Sequence, residues 1–357
     1  MSQFDLTTKE GIDQARRWIA EKRRNEAIKE FEAAIDAEQD TETLEDRLKE
    51  IDLLNDFQSE RPRPQIIKWD KIRDIDREWL IDSWLPANTV TMFTGEGGAG
   101  KSWLTLQAVC QIACGYRDAF LNPDFQTPGE YDDSVEPKQV VFATYEDEPA
   151  EIKRRLHAFA SGMPWIAKAM DTIKQHLHIV DMRGIGSVWG PGVGKHIANT
   201  GDLLAAGEDL REICKSNQAR LLVMDPLSGA FGGNENDRTA VYDFVSSFRG
   251  WGDVAECAML VIGHLPKSAE GKAAGFSGST AWEASARSMW MLSKIGKKEE
   301  EYWALRHTKS NYAPLQPKKY LCRNEIGAWA EAISKDKAVE AYNAYKEKYG
   351  IEEEIDE

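Results

Sequence analysis

The sequence predicts an α/β fold, with a mainly parallel sheet covered by helices, terminal antiparallel strands and a helical segment ahead of them. Three observations predict it. Strand-like and helix-like segments alternate from about residue 79 onward. Two segments, Ala219–Asp225 (ARLLVMD) and Ala258–His264 (AMLVIGH), are nearly continuous apolar runs, as central parallel strands buried on both faces should be. One strand-to-helix junction is a glycine-rich turn, Gly95 to Gly100.

The elements follow in order. Residues 7–38 and 41–57 carry apolar positions at helical spacing, among them Ile12, Ala15 and Ile19, then Ile28, Phe31 and Ile35. Their charged faces suit a solvated helical hairpin, a partner-docking helix or a plain surface helix. Arg61-Pro62-Arg63-Pro64 marks a linker, because two prolines block helix and favour extended chain. Trp79-Leu80-Ile81 and Trp84-Leu85-Pro86 form an apolar lead-in. Thr89–Thr94 is a β-branched strand, followed by a helix from Lys101 to about Gly115. Gln139–Tyr145 (QVVFATY) is a second strand, with a helix from Pro149 to about Ala160. After the two apolar strands, Ser288–Ser293, Glu301–His307 and Lys318–Arg323 alternate more and predict a terminal antiparallel set. Residues 335–349 read as an amphipathic helix, and the acidic tail IEEEIDE as disordered. The domain division is therefore a helical region over 1–60, a linker over 61–78, the α/β domain over 79–330 and a helix with its tail over 331–357.

The net charge of −15 is unevenly distributed. Residues 1–60 hold seventeen acidic and nine basic side chains, and the last seven residues add five negative charges, leaving −2 for residues 61–350. This excludes a broad basic nucleic-acid face but not a narrow basic channel built from loops. Five cysteines without a CxxC pair read as reduced packing residues. No apolar run is long enough for a membrane span, and the N-terminus lacks the pattern of a secretory signal. A cytoplasmic protein with no membrane partner is expected.

Gly95-Glu96-Gly97-Gly98-Ala99-Gly100-Lys101-Ser102 fits G-x-x-x-x-G-K-[ST] between strand and helix. Glycines let backbone N–H groups converge on phosphate oxygens, and the helix N-terminus adds positive potential. Lys101 is expected to reach the β- and γ-phosphates and the Ser102 hydroxyl to ligate Mg²⁺. The candidate nucleotide cradle is thus Gly95, Gly97, Gly98, Ala99, Gly100, Lys101, Ser102 and Trp103, and the expected ligands are ATP and Mg²⁺. A second run, Gly190 to Lys195, lacks the first glycine at the right spacing and is read as a loop. Asp225 ends its strand, expected beside the P-loop strand, and is the second Mg²⁺-site candidate. Pro226 rather than Glu follows it, so the water-activating base must come from elsewhere. Glu146, at the end of QVVFATY, would project over the same sheet edge and is the candidate base. Glu148 and Asp147 read as acidic caps of the next helix.

In order, GEGGAGKS, YEDEP, LLVMDPLSG, VIGHLPKS, GSTAWEASARS and TKSNYAP resemble the RepA-type hexameric replicative helicases of plasmids, which are RecA-fold P-loop ATPases related to phage ATPases. The resemblance covers roughly residues 79–325. It implies that Glu146 is the catalytic glutamate and that His264 is a polar sensor of the γ-phosphate. It also implies that Arg287 reaches a neighbouring subunit's ATP and that Lys309 supplies a second cation there. Arg155 has a counterpart of unassigned role. Without the resemblance, His264 reads as a satisfied strand-end histidine, and Arg287 and Lys309 as surface salt-bridge formers. A residue acting in trans requires a homo-oligomer, by resemblance a ring of six. In such rings the loops at 228–239 and 266–280 face the channel. The second carries Lys267 and Lys272, candidate contacts to single-stranded DNA. The first is acidic, and Phe231 and Phe276 are the only aromatics of the two loops.

The leading expectation is an ATP-driven replicative helicase or translocase on single-stranded DNA, with a replication partner possible through the N-terminal helices. The alternatives are a RecA-like recombination or strand-annealing ATPase, and a DNA-independent nucleotide-switched interaction protein.

Overall fold

The structure is a computed structural model that describes residues 66–71, 76–115, 136–191, 201–249, 257–264, 280–296, 300, 302–332 and 334–349. The helices expected over 7–38 and 41–57, the 266–279 loop and the acidic tail lie outside these residues. The chain divides into two compact units, Met1–Asp74 and Ile75–Glu357. In the first, the described residues include a 3-10 turn, Trp69–Lys71. The second holds the site.

The second unit begins with a short antiparallel pair, β1 (Trp79–Ile81) and β2 (Leu85–Pro86), which is what the apolar lead-in forms. Next come β3 (Val90–Gly95), α1 (Lys101–Cys114), β4 (Val140–Thr144), α2 (Pro149–Gly162), α3 (Pro164–His176) and β5 (Leu177–Asp181). A small ribbon of β6 (Trp189–Pro191) and β7 (Gly201–Leu203) precedes α4 (Ala205–Ser216), β8 (Leu221–Asp225), α5 (Leu227–Ala230), α6 (Arg238–Arg249) and β9 (Ala258–His264). The chain then runs through α7 (Thr280–Ser285), β10 (Ser288–Ile295), β11 (Tyr302–Ser310), β12 (Lys319–Arg323), β13 (Trp329–Glu331) and α8 (Lys335–Tyr349).

Among the described residues, nine strands form one sheet in the order β13-β12-β11-β10-β3-β9-β8-β4-β5. The six from β10 to β5 are parallel, and β11, β12 and β13 add antiparallel to the β10 edge. This is a RecA-like P-loop fold. Side chains alternate between two cores, as the period of two requires. Phe93, Phe142, Val223 and Leu260 join one with α1, α2 and α3, while Met92, Val141, Met224 and Val261 join the other with α4, α6 and α7. Helix limits have local causes. Pro149 and Pro164 start α2 and α3, where a missing N–H costs nothing, and left-handed Gly115 ends α1.

The terminal strands form the expected antiparallel set, β10 with β11 and β11 with β12, and β10 also pairs parallel to β3. Three expectations need correction. Gly190 and Pro191 belong to β6 rather than a loop, while residues 192–195 lie outside the description. The strand ending in Asp225 is not beside β3, because β9 lies between them. Asp147 and Glu148 also make no side-chain cap on α2.

Candidate active site

Because β3, β9, β8 and β4 are parallel, their C-terminal ends lie along one sheet edge. There the chain brings together Gly95, His264, Asp225 and the turn after Thr144. Register fixes the grouping, with Gly95 opposite His264 and Thr144 opposite Asp225.

The P-loop is tightly constrained. A Cβ on Gly95 would sit 2.3 Å from the Leu292 carbonyl oxygen of neighbouring β10, so only glycine fits. Gly100 has a φ of +88° and faces the Trp329 ring, where a Cβ would approach to 3.1 Å. Trp329 Nε1 donates to the Gly100 carbonyl at 3.2 Å. Gln107, one and a half turns into α1, bonds both backbone groups of Trp329, at 2.8 Å to its carbonyl and 3.0 Å from its N–H. Strand β13 therefore buttresses the P-loop.

Lys101 is buried, and its ammonium donates to the Gly95 carbonyl at 3.0 Å and the Glu96 carbonyl at 2.7 Å. Burial pushes it down to about 8, against the pull of Asp225, Glu96 and Glu146. Its nitrogen lies 3.4 Å from His264 Nδ1. Burial and Lys101 both hold His264 below its usual range, while Glu146 opposes them. A neutral imidazole can accept the ammonium proton at Nδ1. The Ser102 hydroxyl donates to the carboxylate of Asp225, which burial raises to about 6. That hydrogen bond and Lys101 act in the opposite sense, while the charges of Asp147 and Glu146 add to the rise.

Burial thus disfavours both the ammonium and the carboxylate, which fits a site whose missing partners are polyanionic phosphate and a cation. Among the described residues no group of three His, Cys, Asp or Glu could hold a metal on its own. Mg²⁺ is commonly held by one or two protein ligands plus phosphate oxygens. Ser102 and Asp225 would hold it, and when bound it neutralises charge on the β- and γ-phosphates.

Glu146 is exposed at this edge and acts electrostatically on Lys101, Asp225 and His264. Its turn is anchored, since the Thr144 hydroxyl donates to the Asp147 carbonyl at 2.8 Å. The Arg155 guanidinium bonds the Asp147 carboxylate at 2.6 Å and Glu151 at 3.1 Å. Arg155 thereby acquires a role as the strut that holds the Glu146 turn against α2. The Trp103 ring is committed to packing, edge-on to Phe159 and near the guanidiniums of Arg155 and Arg323.

The other predicted residues lie elsewhere. Arg287 precedes β10 and donates its backbone N–H to Val90, at the opposite end of β3 from the P-loop. Lys309 pairs with Met289 at that same end, and its ammonium bonds the carbonyls of Glu283 and Ala284 at the end of α7. Lys267, Lys272 and Phe276 lie outside the described residues. Phe231 stacks on Trp189 with ring centres 5.1 Å apart and is core. In the segment 228–239, residues 228–230 belong to α5 and residues 238–239 begin α6, and Asp237 accepts from the Thr239 N–H at 2.8 Å.

Sequence reasoning missed Gln107, Arg323 and Trp329, which no motif marks. The Asp147–Arg155 pair was findable from an acidic residue and an arginine two turns apart across a helix start.

A search of curated proteins finds no match. Residues 57–270 match the model of a family described as an AAA domain. That segment is more than half of the chain and contains Lys101, Ser102, Glu146, Asp225 and His264. The chain belongs to the AAA-domain family of P-loop ATPases.

Proposed function

We propose that the protein is an ATP-hydrolysing RecA-fold motor, a ring-shaped replicative helicase or translocase on single-stranded DNA, similar to the RepA-type helicases. The observation that carries this is the 3.4 Å approach of Lys101 Nζ to His264 Nδ1. His264 ends β9, and the chain leaves it directly into the segment holding Lys267 and Lys272. Departure of the γ-phosphate from Lys101 on hydrolysis therefore has a short route, through His264, to the segment that carries Lys267 and Lys272.

In this mechanism Lys101 leaves the Gly95 and Glu96 carbonyls to pair with phosphate. Glu146 polarises water for in-line attack on the γ-phosphorus, and His264 exchanges its contact with Lys101 for one with the γ-phosphate. Arg287 and Lys309 belong to the neighbouring subunit's site in a ring of six. Lys267 and Lys272 grip DNA phosphates in the channel, and residues 1–60 offer helices to a replication partner.

The test is the steady-state ATPase rate with and without single-stranded DNA at low and moderate salt, followed by unwinding of a forked duplex. Stimulation that fades with salt, together with directional unwinding, is expected. Stimulation without unwinding would favour a strand-annealing ATPase. A rate indifferent to DNA would overturn the motor and leave a nucleotide-switched interaction protein.

A further inference from the structure

Beside the P-loop lies a cleft of about 150 Å³. It is lined by Gly98 and Ala99 and, with the smaller Leu321, Cys322 and Ala341, by Trp303 of β11, Arg323 of β12, Trp329 of β13 and Tyr342 of α8. Trp303 meets both other rings edge-on, Trp329 at 5.9 Å and 73° and Tyr342 at 6.1 Å and 90°. Arg323 is pinned through its Nε to the Gly327 carbonyl at 3.0 Å, with its guanidinium 5.4 Å from the Trp329 ring centre. Trp329 is fully buried and forms the floor, while Trp303 is half-buried.

We infer that this cleft is the nucleobase subsite, and that Trp303, Arg323 and Tyr342 select a purine. This rests on the proposed ATP-hydrolysing function. Aromatic faces and a fixed guanidinium plane are the surfaces on which bases stack, and larger rings stack more strongly. Gly98 and Ala99 belong both to the P-loop and to the lining of the cleft, so the cleft adjoins the place where phosphates would lie on Lys101 and Ser102. Among the described residues no acidic side chain lines it to repel a nucleotide. The aromatic residues and Arg323 all lie beyond residue 270, outside the segment that matches the AAA-domain family. Membership in that family therefore does not specify them, and base choice is a property of this chain's C-terminal strands and helix.

Two experiments on the full chain test the assignment. The first measures competition with a fluorescent ATP analogue by ATP, CTP and inorganic tripolyphosphate, in the wild type, Trp303→Ala and Tyr342→Leu. The wild type should bind ATP more tightly than CTP or tripolyphosphate. Each variant should lose about tenfold in ATP affinity, as removal of one base stack does. Its tripolyphosphate affinity should be unchanged, which certifies an intact P-loop. Variants that keep the full preference for ATP would overturn the subsite. A wild type that binds neither ATP nor tripolyphosphate would overturn the ATPase function itself.

The second needs no variant. Photolabelling of the wild type with 8-azido-ATP, blocked by excess ATP, should mark peptides containing Trp303, Arg323 or Tyr342. Label confined to other peptides would place the base elsewhere and overturn the assignment.

Discussion

Glu146 and Lys101 act on the same phosphate in different states, so their loss should differ in kind. Glu146→Gln keeps size and removes the base, so nucleotide binding should persist while turnover falls roughly 100-fold or more. Lys101→Ala removes the cation on the phosphates, and tight binding should go as well. Equilibrium binding beside single-turnover hydrolysis separates the two, and normal turnover by Glu146→Gln would assign the base to another carboxylate. Asp225 gives a pH signature. Its carboxyl is raised to about 6 and must be ionised to hold Mg²⁺. Mg²⁺-dependent nucleotide affinity should therefore be full above pH 7 and fall about tenfold for each pH unit below 6. Asp225→Asn should weaken binding and flatten that profile, and an unchanged slope would exclude Asp225 as the titrating group. The residues of this edge were legible in sequence because a P-loop is local and strand-end carboxylates follow apolar runs. The struts were not, since Gln107 and Trp329 are 222 positions apart and meet only because β13 closes the sheet.

Between elements, one buried polar network joins the lead-in to the sheet. The Ser288 hydroxyl donates to the Trp84 carbonyl at 2.7 Å and lies 3.0 Å from His307 Nε2, while the Gln316 N–H donates to His307 Nδ1 at 3.2 Å. The bond from the Gln316 N–H requires an unprotonated Nδ1, and burial pushes His307 down to about 4, against a backbone hydrogen bond with Lys309. The unfolded chain therefore binds a proton that the folded chain refuses, so this stabilisation is full above about pH 6.5 and is lost as pH falls toward 4. The loss is about 3 kcal/mol. Urea unfolding of wild type and His307→Phe at pH 8, 6 and 5 should show the variant less acid-sensitive across that window, and parallel pH curves would refute it. Gln107→Ala should cost about 3 kcal/mol, because it strands a buried N–H and a buried carbonyl of Trp329. Denaturant midpoints measure it, and a cost under about 0.5 kcal/mol would mean that β13 is not held this way. The direction of β10 was the element that sequence could not give. Its first six residues are buried because its two faces pack into the two cores, so alternation carries no sign of which neighbour is parallel.

At the scale of the whole molecule that direction decides what Arg287 can do. Because β10 runs with β3, Arg287 sits level with Val90, five residues before Gly95. At a rise of about 3.3 Å per residue this is about 16 Å from the P-loop, farther than a guanidinium side chain extends. Arg287 therefore cannot serve the phosphates of its own subunit. Among the described residues its side chain makes no ion pair, whereas Lys309 is already tied to the end of α7. If Arg287 acts in catalysis, it acts on a neighbour, which demands a head-to-tail assembly closing into a ring. Arg287→Ala should then lower ATPase by roughly 1,000-fold with nucleotide binding preserved. Mixing it with Lys101→Ala should restore part of the activity, because mixed interfaces pair an intact P-loop with an intact arginine. Restoration should follow the mixing ratio and require exchange of subunits before assay. Two inactive proteins that stay inactive together at every ratio, despite demonstrated co-assembly, would remove Arg287 from the shared site and leave Lys309 as the cation to test by the same mixing.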